Sequence, residues 1–218
     1  MKLEKIIGWL DAELETAKFS DVSNNGLQIA RSDGDVDKVA LAVDGSRRAV
    51  LAAAEAGAQL LVVHHGISWG GGIKRIAGSE YAVIAAAIKA DVALYAVHLP
   101  LDAHPKLGHN ALLAKELKLT HLSPAFSYHG NTIGLVGVDP QGRKIGVCSG
   151  GGGEFAAEAK ALGCVKLVTG EADWGETVAA ENVGIELDCR GHYETELYGI
   201  QALAKAMKRA LKIETVIV

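Results

Sequence analysis

From Val39 onward the chain alternates short apolar runs with helix-patterned stretches, and few folds satisfy that rhythm. Val39–Val43, Leu60–Val63 and Val92–Val97 are the runs; helical patterns cover Arg47–Ala56, Tyr81–Lys89 and Asn110–Leu117. Strands separated by helices are joined by crossovers, so the pattern predicts an α/β fold with a mainly parallel sheet under a layer of helices. Ahead of it, Leu3, Ile6, Ile7, Leu10 and Leu14 recur at helical spacing and predict an amphipathic first helix. The turn-rich segment DVSNNGLQIA then leads into a short strand near Leu27–Ala30.

Around residue 120 the pattern changes. Thr132–Val138 and Lys144–Cys148 read as successive strands joined by Asp139-Pro140-Gln141-Gly142, an antiparallel hairpin. A helix over Glu154–Leu162, a strand over Val165–Thr169, a short helix over Glu176–Glu181 and a strand over Ile185–Asp188 follow. A long helix over Glu194–Leu211 and a β-rich tail over Ile213–Val218 close the sequence. At 218 residues the chain has room for one large domain or two small ones. The change of pattern predicts two α/β modules. One is a split domain, residues 1–121 and 186–218; the other, residues 122–185, is inserted in it.

Composition excludes several classes of partner. With 22 Lys and Arg against 26 Asp and Glu, the net charge is −4, which gives no general pull toward nucleic acid. Lys205, Lys208, Arg209 and Lys212 lie late in the last helix, where cations complement the helix dipole on a solvated face. The three cysteines form no C-x-x-C pair, which fits a reducing cytoplasm rather than a disulfide framework. Glu4, Lys5 and Asp11 break the apolar character of the N-terminal segment, so it does not read as a signal peptide. No apolar stretch reaches the roughly 18 residues of a membrane span.

The chemistry lies at the ends of the apolar runs. Leu60–Val63 is followed at once by His64-His65-Gly66, and Leu94–Val97 by His98-Leu99-Pro100-Leu101-Asp102. Ile185–Asp188 is followed by Cys189-Arg190-Gly191-His192, with Glu196 four residues further. In open α/β sheets, ligands bind beyond the carboxyl ends of the strands. His64, His65, Asp102, His192 and Glu196 are therefore candidate metal ligands. His192 and Glu196 share one face of a helix start. Adjacent His64 and His65 would point apart within a strand; at a strand end they serve two ions, or one from a kinked backbone. Three imidazoles and two carboxylates suit Zn, Mn, Fe, Co or Ni better than Ca or Mg. Five donors exceed one tetrahedral site, and a carboxylate can bridge two ions roughly 3.5–4 Å apart.

Val62-Val63-His64-His65-Gly66, His98-Leu99-Pro100-Leu101-Asp102, Thr169-Gly170-Glu171 and Gly191-His192-Tyr193-Glu194-Thr195-Glu196, in this order, resemble the Nif-three-like dinuclear metal-centre family. Its members are often named GTP cyclohydrolase I type 2 homologues. Asn24-Asn25-Gly26-Leu27-Gln28 is similar to the family's N-terminal signature, and the resemblance spans almost the whole chain. It implies that His64, His65, Asp102, His192 and Glu196 hold two divalent ions, with Zn, Mn or Fe as the leading candidates. It also implies two α/β domains and a ring-like homohexamer with metal sites facing an internal cavity. One departure stands out: Ala172-Asp173-Trp174-Gly175 follows Glu171 without the histidine many relatives carry nearby, which leaves Glu171 and Asp173 as pocket residues only.

His98, four residues before Asp102, is a candidate proton shuttle or a residue that orients a ligand. His104 and His109 read as solvated loop residues. The run Gly150–Gly153 follows a strand and opens a helix as phosphate loops do, but it matches neither G-x-x-x-x-G-K-[ST] nor G-x-G-x-x-G, so close packing is the default. Ser68-Trp69-Gly70-Gly71-Gly72 reads as a rim beside the histidine pair. The expected function is a metal-dependent hydrolase of cyclohydrolase or amidohydrolase type acting on a small, nucleotide-like substrate. The alternative is a non-catalytic metal-binding ring that recruits protein partners.

Overall fold

The structure is a computed structural model describing residues 1–218. The chain separates into two units, residues 1–101 with 200–218 and residues 102–199. The first unit contains α1 (Leu3–Glu13), β1 (Gly26–Ile29), β2 (Lys38–Asp44), α2 (Arg47–Glu55), β3 (Leu60–His65), α3 (Gly78–Ala90) and β4 (Ala93–Ala96). The chain leaves it within the short helix α4 (Leu99–Asp102).

The second unit contains α5 (His109–Glu116), β5 (Thr120–Tyr128), β6 (Asn131–Val138), β7 (Lys144–Cys148), α6 (Ala156–Ala161), β8 (Lys166–Thr169), α7 (Trp174–Val183) and β9 (Glu186–Cys189). The chain returns to the first unit along α8 (His192–Leu211) and ends in β10 (Glu214–Ile217).

In the first unit the strand order is β1-β4-β3-β2-β10. β10, β2, β3 and β4 run parallel, as the alternating pattern predicts, while β1 is antiparallel to β4. Leu60, Leu61, Val62 and Val63 are wholly buried, which is why β3 reads as an unbroken apolar run rather than an alternating one. Ala40, Leu61, Val63 and Leu94 belong to a core that also takes Val50 and Ala53 of α2 and Val83 and Ala87 of α3. On α1 the residues at helical spacing, Ile6 and Leu10, are fully buried. Tyr95 is buried as well, and its hydroxyl donates to Asp11 Oδ1 at 2.6 Å.

The second unit is another five-stranded sheet, β5-β6-β7-β8-β9. β6 and β7 form the expected hairpin, with Asp139 Oδ1 accepting the N–H groups of Gln141 and Arg143 in the turn. β7, β8 and β9 are parallel. β5 was not legible from the sequence. It pairs only with β6, five of its nine residues in a row are exposed, and Pro124 interrupts it, all of which an edge strand tolerates.

The segment 122–185 lies inside this unit, which is wider than the inserted module read from the sequence. Leu113 and Ala114 of α5 pack with Ile145, Val147 and Val168, and β9 extends the sheet beside β8, so both belong here by contact. No helix is long and apolar enough to cross a membrane.

Candidate metal centre

In the first unit the ligand candidates stand where the parallel register puts them. Asp44 on β2 is paired with His65 on β3, so two strand ends deliver a carboxylate and an imidazole side by side. His65 Nδ1 lies 2.9 Å from Asp44 Oδ1, and His64 Nδ1 lies 3.0 Å from the carbonyl oxygen of Val97, just past β4. Successive strand residues point to opposite faces, yet the rings of His64 and His65 have centroids only 4.6 Å apart. At the end of β3 both rings therefore serve one region. His98 joins them, with its ring centroid 5.0 Å from that of His64 and 5.8 Å from that of His65. One potential ligand atom from each of the three lies within 4.8 Å of the others.

Carbonyl and carboxylate oxygens only accept, so Nδ1 in each of these rings must carry the proton. A neutral imidazole then has its lone pair on Nε2, the tautomer that a metal ligand needs. His98 is held in the same way, with Nδ1 2.9 Å from Asp21 Oδ1. Asp21 also accepts from Ser23 N, Leu99 N and Asn25 Nδ2. Burial pushes the Asp21 carboxyl up, but the hydrogen bond from His98, the charge of that ring when it is protonated, and the bonds from Ser23 and Asn25 outweigh it and hold the group at about 2.

The loop after His65 is fixed by the Asn24–Gln28 segment. Gln28 Oε1 accepts from Ile67 N and Ser68 N, and Asn24 Nδ2 donates to Ser68 Oγ. Gly66 is required there, since a Cβ would meet both polar atoms of the Gln28 side chain and, at 2.5 Å, Ala96 Cβ.

In the second unit α8 begins at His192, and the i, i+4 spacing brings His192 Nε2 to 3.1 Å from Glu196 Oε1. His192 Nδ1 is 2.9 Å from Glu171 Oε1, so this ring too is clamped by a carboxylate behind it. With Nδ1–H given to Glu171, the Nε2 lone pair and the Glu196 oxygen face each other. A proton or a metal ion between them removes that repulsion. Glu196 is 3% exposed and Asp102 6%, so both carboxylates are withdrawn from water, where charge demands compensation. Ser149 Oγ donates to Asp102 Oδ1 at 3.2 Å, and Asn110 Oδ1 accepts from Ser149 N at 2.6 Å.

The run Gly150–Gly153 serves packing here. Gly150 N donates to Thr195 Oγ1 and Gly152 N to Thr169 Oγ1, so these amides are spent within the fold. A Cβ on Gly150, whose φ is +64°, would lie 2.5 Å from Glu196 Oε1, and one on Gly170 would lie 2.6 Å from Gly150 O and 2.8 Å from His192 Cα. Glycine lets the two loops close against the ligand pair.

Other residues fall differently from their sequence reading. His109 is not a solvated loop residue. It is buried at the start of α5, and its Nδ1 accepts from Gly199 N, which puts the proton on Nε2. His104 Nδ1 likewise accepts from Lys106 N and Leu107 N. Asp173 is the N-cap of α7 in a capping box with Glu176. Burial, then the charge of Asp188, pushes the Cys189 thiol up, away from the thiolate a metal would take.

The supporting residues Asp21, Asp44, Ser149 and Asn110 escaped sequence reasoning. For Asp44 a signal existed, because the run Val39–Val43 also ends in an acid. Imidazoles oriented through Nδ1, with the buried carboxylates of Asp102 and Glu196, form a donor set that fits divalent transition-type ions.

Comparisons with known proteins find relatives over nearly the whole chain. The family model described as Duf34/NIF3 (NGG1p interacting factor 3) matches residues 1–141 and 127–218. A Deinococcus radiodurans protein named GTP cyclohydrolase 1 type 2 homolog is 37% identical, covering 92% of this chain and 86% of its own. A Halobacterium salinarum protein of the same name is 35% identical, covering 93% of this chain and 92% of its own. Among solved structures, the protein ybgI, described as of unknown function, superposes with a TM-score of 0.91 at 27% identity, over 100% of this chain and 98% of that one.

Proposed function

The chain belongs to the Duf34/NIF3 family, and from that premise we propose a metal-dependent hydrolase of cyclohydrolase or amidohydrolase type acting on a nucleotide-like substrate. His64, His65, Asp102, His192 and Glu196 would hold two divalent ions, Zn, Mn or Fe. The observation that carries the reading is the shared polarity of the imidazoles. His64, His65 and His192 each have Nδ1 against a carbonyl or carboxylate oxygen, which in the neutral ring puts the lone pair on Nε2, the nitrogen that would ligate. Bound ions of this kind supply a nucleophilic water near neutral pH and polarise the group under attack.

The chain's own residues then have distinct tasks. Asp44 and Glu171 orient His65 and His192, and Ser149 orients Asp102. His98, fixed through Nδ1 by Asp21, offers Nε2 to accept a proton from the reacting water and return it to the leaving group. The name carried by the relatives supports a purine nucleotide as the first substrate to try. The reading includes a cytoplasmic, ring-like homohexamer, which mass measurement in solution tests.

Elemental analysis of protein purified without added metal is expected to find close to two ions per chain. His65→Ala and Glu196→Gln should each lower metal content and abolish turnover across a panel of nucleotides. Unchanged turnover in both variants sinks the hydrolase reading, and bound metal with no hydrolysis of any nucleotide, phosphoester or amide favours a metal-binding scaffold.

A further inference from the structure

Beside the histidines the first unit has two hollows, of about 560 and 460 Å³, that share Ile67, Trp69 and Glu80 as lining. Each lies within the range of small-molecule sites, roughly 300–1,000 Å³. Lys74 and Arg75 line one and Arg47 the other. Several cations elsewhere are paired: Arg31 with Asp91, Arg143 with Asp139, Lys166 with Glu186 and Arg190 with Asp188. Arg47, Lys74 and Arg75 make no such pair. Glu80 is the acidic residue lining both hollows, and its Oε2 accepts from the Ser79 hydroxyl.

Trp69 lines both hollows with these cations and also contacts the histidine cluster. Its Nε1 donates to the Gly66 carbonyl at 2.9 Å, its ring meets His98 edge-on at 5.2 Å, and its centroid is 6.2 Å from that of His65. With the indole N–H satisfied inward, what the residue exposes is ring surface, suited to stacking on a planar group. The loop that carries it is held in place, since Gly70 N donates to Val22 O and Asn24 N to Ser68 O, besides the Gln28 bonds. A fixed aromatic wall flanked by unpaired cations is the chemistry that recognises a ring bearing phosphates.

We propose that the hollows flanking Trp69 bind a phosphate-bearing aromatic ligand, with Arg47, Lys74 and Arg75 on its phosphates and the indole against its ring. Glu80 disfavours a bare polyanion and favours a ligand that carries a hydrogen-bond donor. The ligand's class deepens the nucleotide-like reading above and rests on it; the anion contacts do not.

Calorimetric titration of the full chain as purified, with guanosine 5′-diphosphate and with inorganic pyrophosphate, tests this. Metal content is assayed before and after, so that chelation is seen. Both probes are expected to bind, the nucleotide more tightly. The double variant Lys74→Ala/Arg75→Ala should weaken both about ten- to a hundredfold, and Arg47→Ala about tenfold. Trp69→Leu should weaken the nucleotide alone, and Glu80→Gln should tighten pyrophosphate. Binding that is unchanged in the Arg47 and Lys74/Arg75 variants, or absent at millimolar probe, overturns the assignment. Phosphate binding through these cations in a protein that holds no metal overturns only the metal-centre reading, and the reverse outcome only the anion site.

Discussion

The two units present the same kind of donor on different supports. In the first, the imidazoles sit at strand ends and are held by side chains reaching across: Asp44 on His65 and Asp21 on His98. In the second, His192 and Glu196 share the first turn of a helix, and the loops of Gly150 and Gly170 press on them with no side chain between. Both units clamp an imidazole with a carboxylate, but only the second also closes glycine backbone directly on its ligand pair. The difference teaches where each is vulnerable. The first fails when a hydrogen-bond acceptor is lost, and the second when a single methyl group is added.

The largest expected effect follows from the second unit. Gly170→Ala puts a Cβ against backbone atoms of Gly150 and His192 that cannot rotate away. Denaturant unfolding should show a loss of about 3 kcal/mol or more, with metal content reduced. A loss under half that size would mean the loops give way easily and would break the comparison.

In the first unit, Asp21→Asn removes the charge that accepts from His98, Ser23, Leu99 and Asn25, and should cost about 2 kcal/mol at neutral pH. The sign with pH is fixed. The folded carboxyl is held at about 2 against 3.8 for the free group, so its contribution is complete above about pH 4 and is lost as pH falls toward 2. Unfolding curves of both proteins in chelator should converge across that window. Parallel curves would refute the role given to Asp21.

Asp44→Asn and Glu171→Gln probe the two clamps directly. Each should weaken metal binding about ten- to a hundredfold with little change in global stability. If only one does so, the ions depend on that unit's clamp alone. The smallest effect is expected at His104, whose Nδ1 accepts the backbone N–H groups of Lys106 and Leu107. His104→Asn should cost about 1 kcal/mol and leave the metal content of the chain unaltered.

Much of this architecture was legible in the sequence because short-range pattern carries it. Leu60–Val63 announced a buried parallel strand, the Asp139–Gly142 turn a hairpin, and the i, i+4 pair His192 and Glu196 a shared helix face. β5 escaped because an edge strand with Pro124 and exposed polar residues has no alternation to read. The orienting groups escaped for another reason. Asp21 meets His98 across 77 positions and Ser149 meets Asp102 across 47, separations at which no local pattern survives. The glycines at 150 and 170 were visible as composition, but only three-dimensional contact shows that a methyl group there would strike Glu196 and His192. Histidine tautomers are also a matter of contact, which is how His109, read as a surface residue, turned out to be buried.

The indole of Trp69 has one further consequence. It is tethered to Gly66 and set within 6.2 Å of the His65 ring and 5.2 Å of the His98 ring. An emitter so close to these imidazoles is a built-in optical gauge. With the proposed metal bound, its fluorescence should dim under a paramagnetic ion such as Fe or Mn and persist under Zn, so the light the chain gives off separates those two classes of ion.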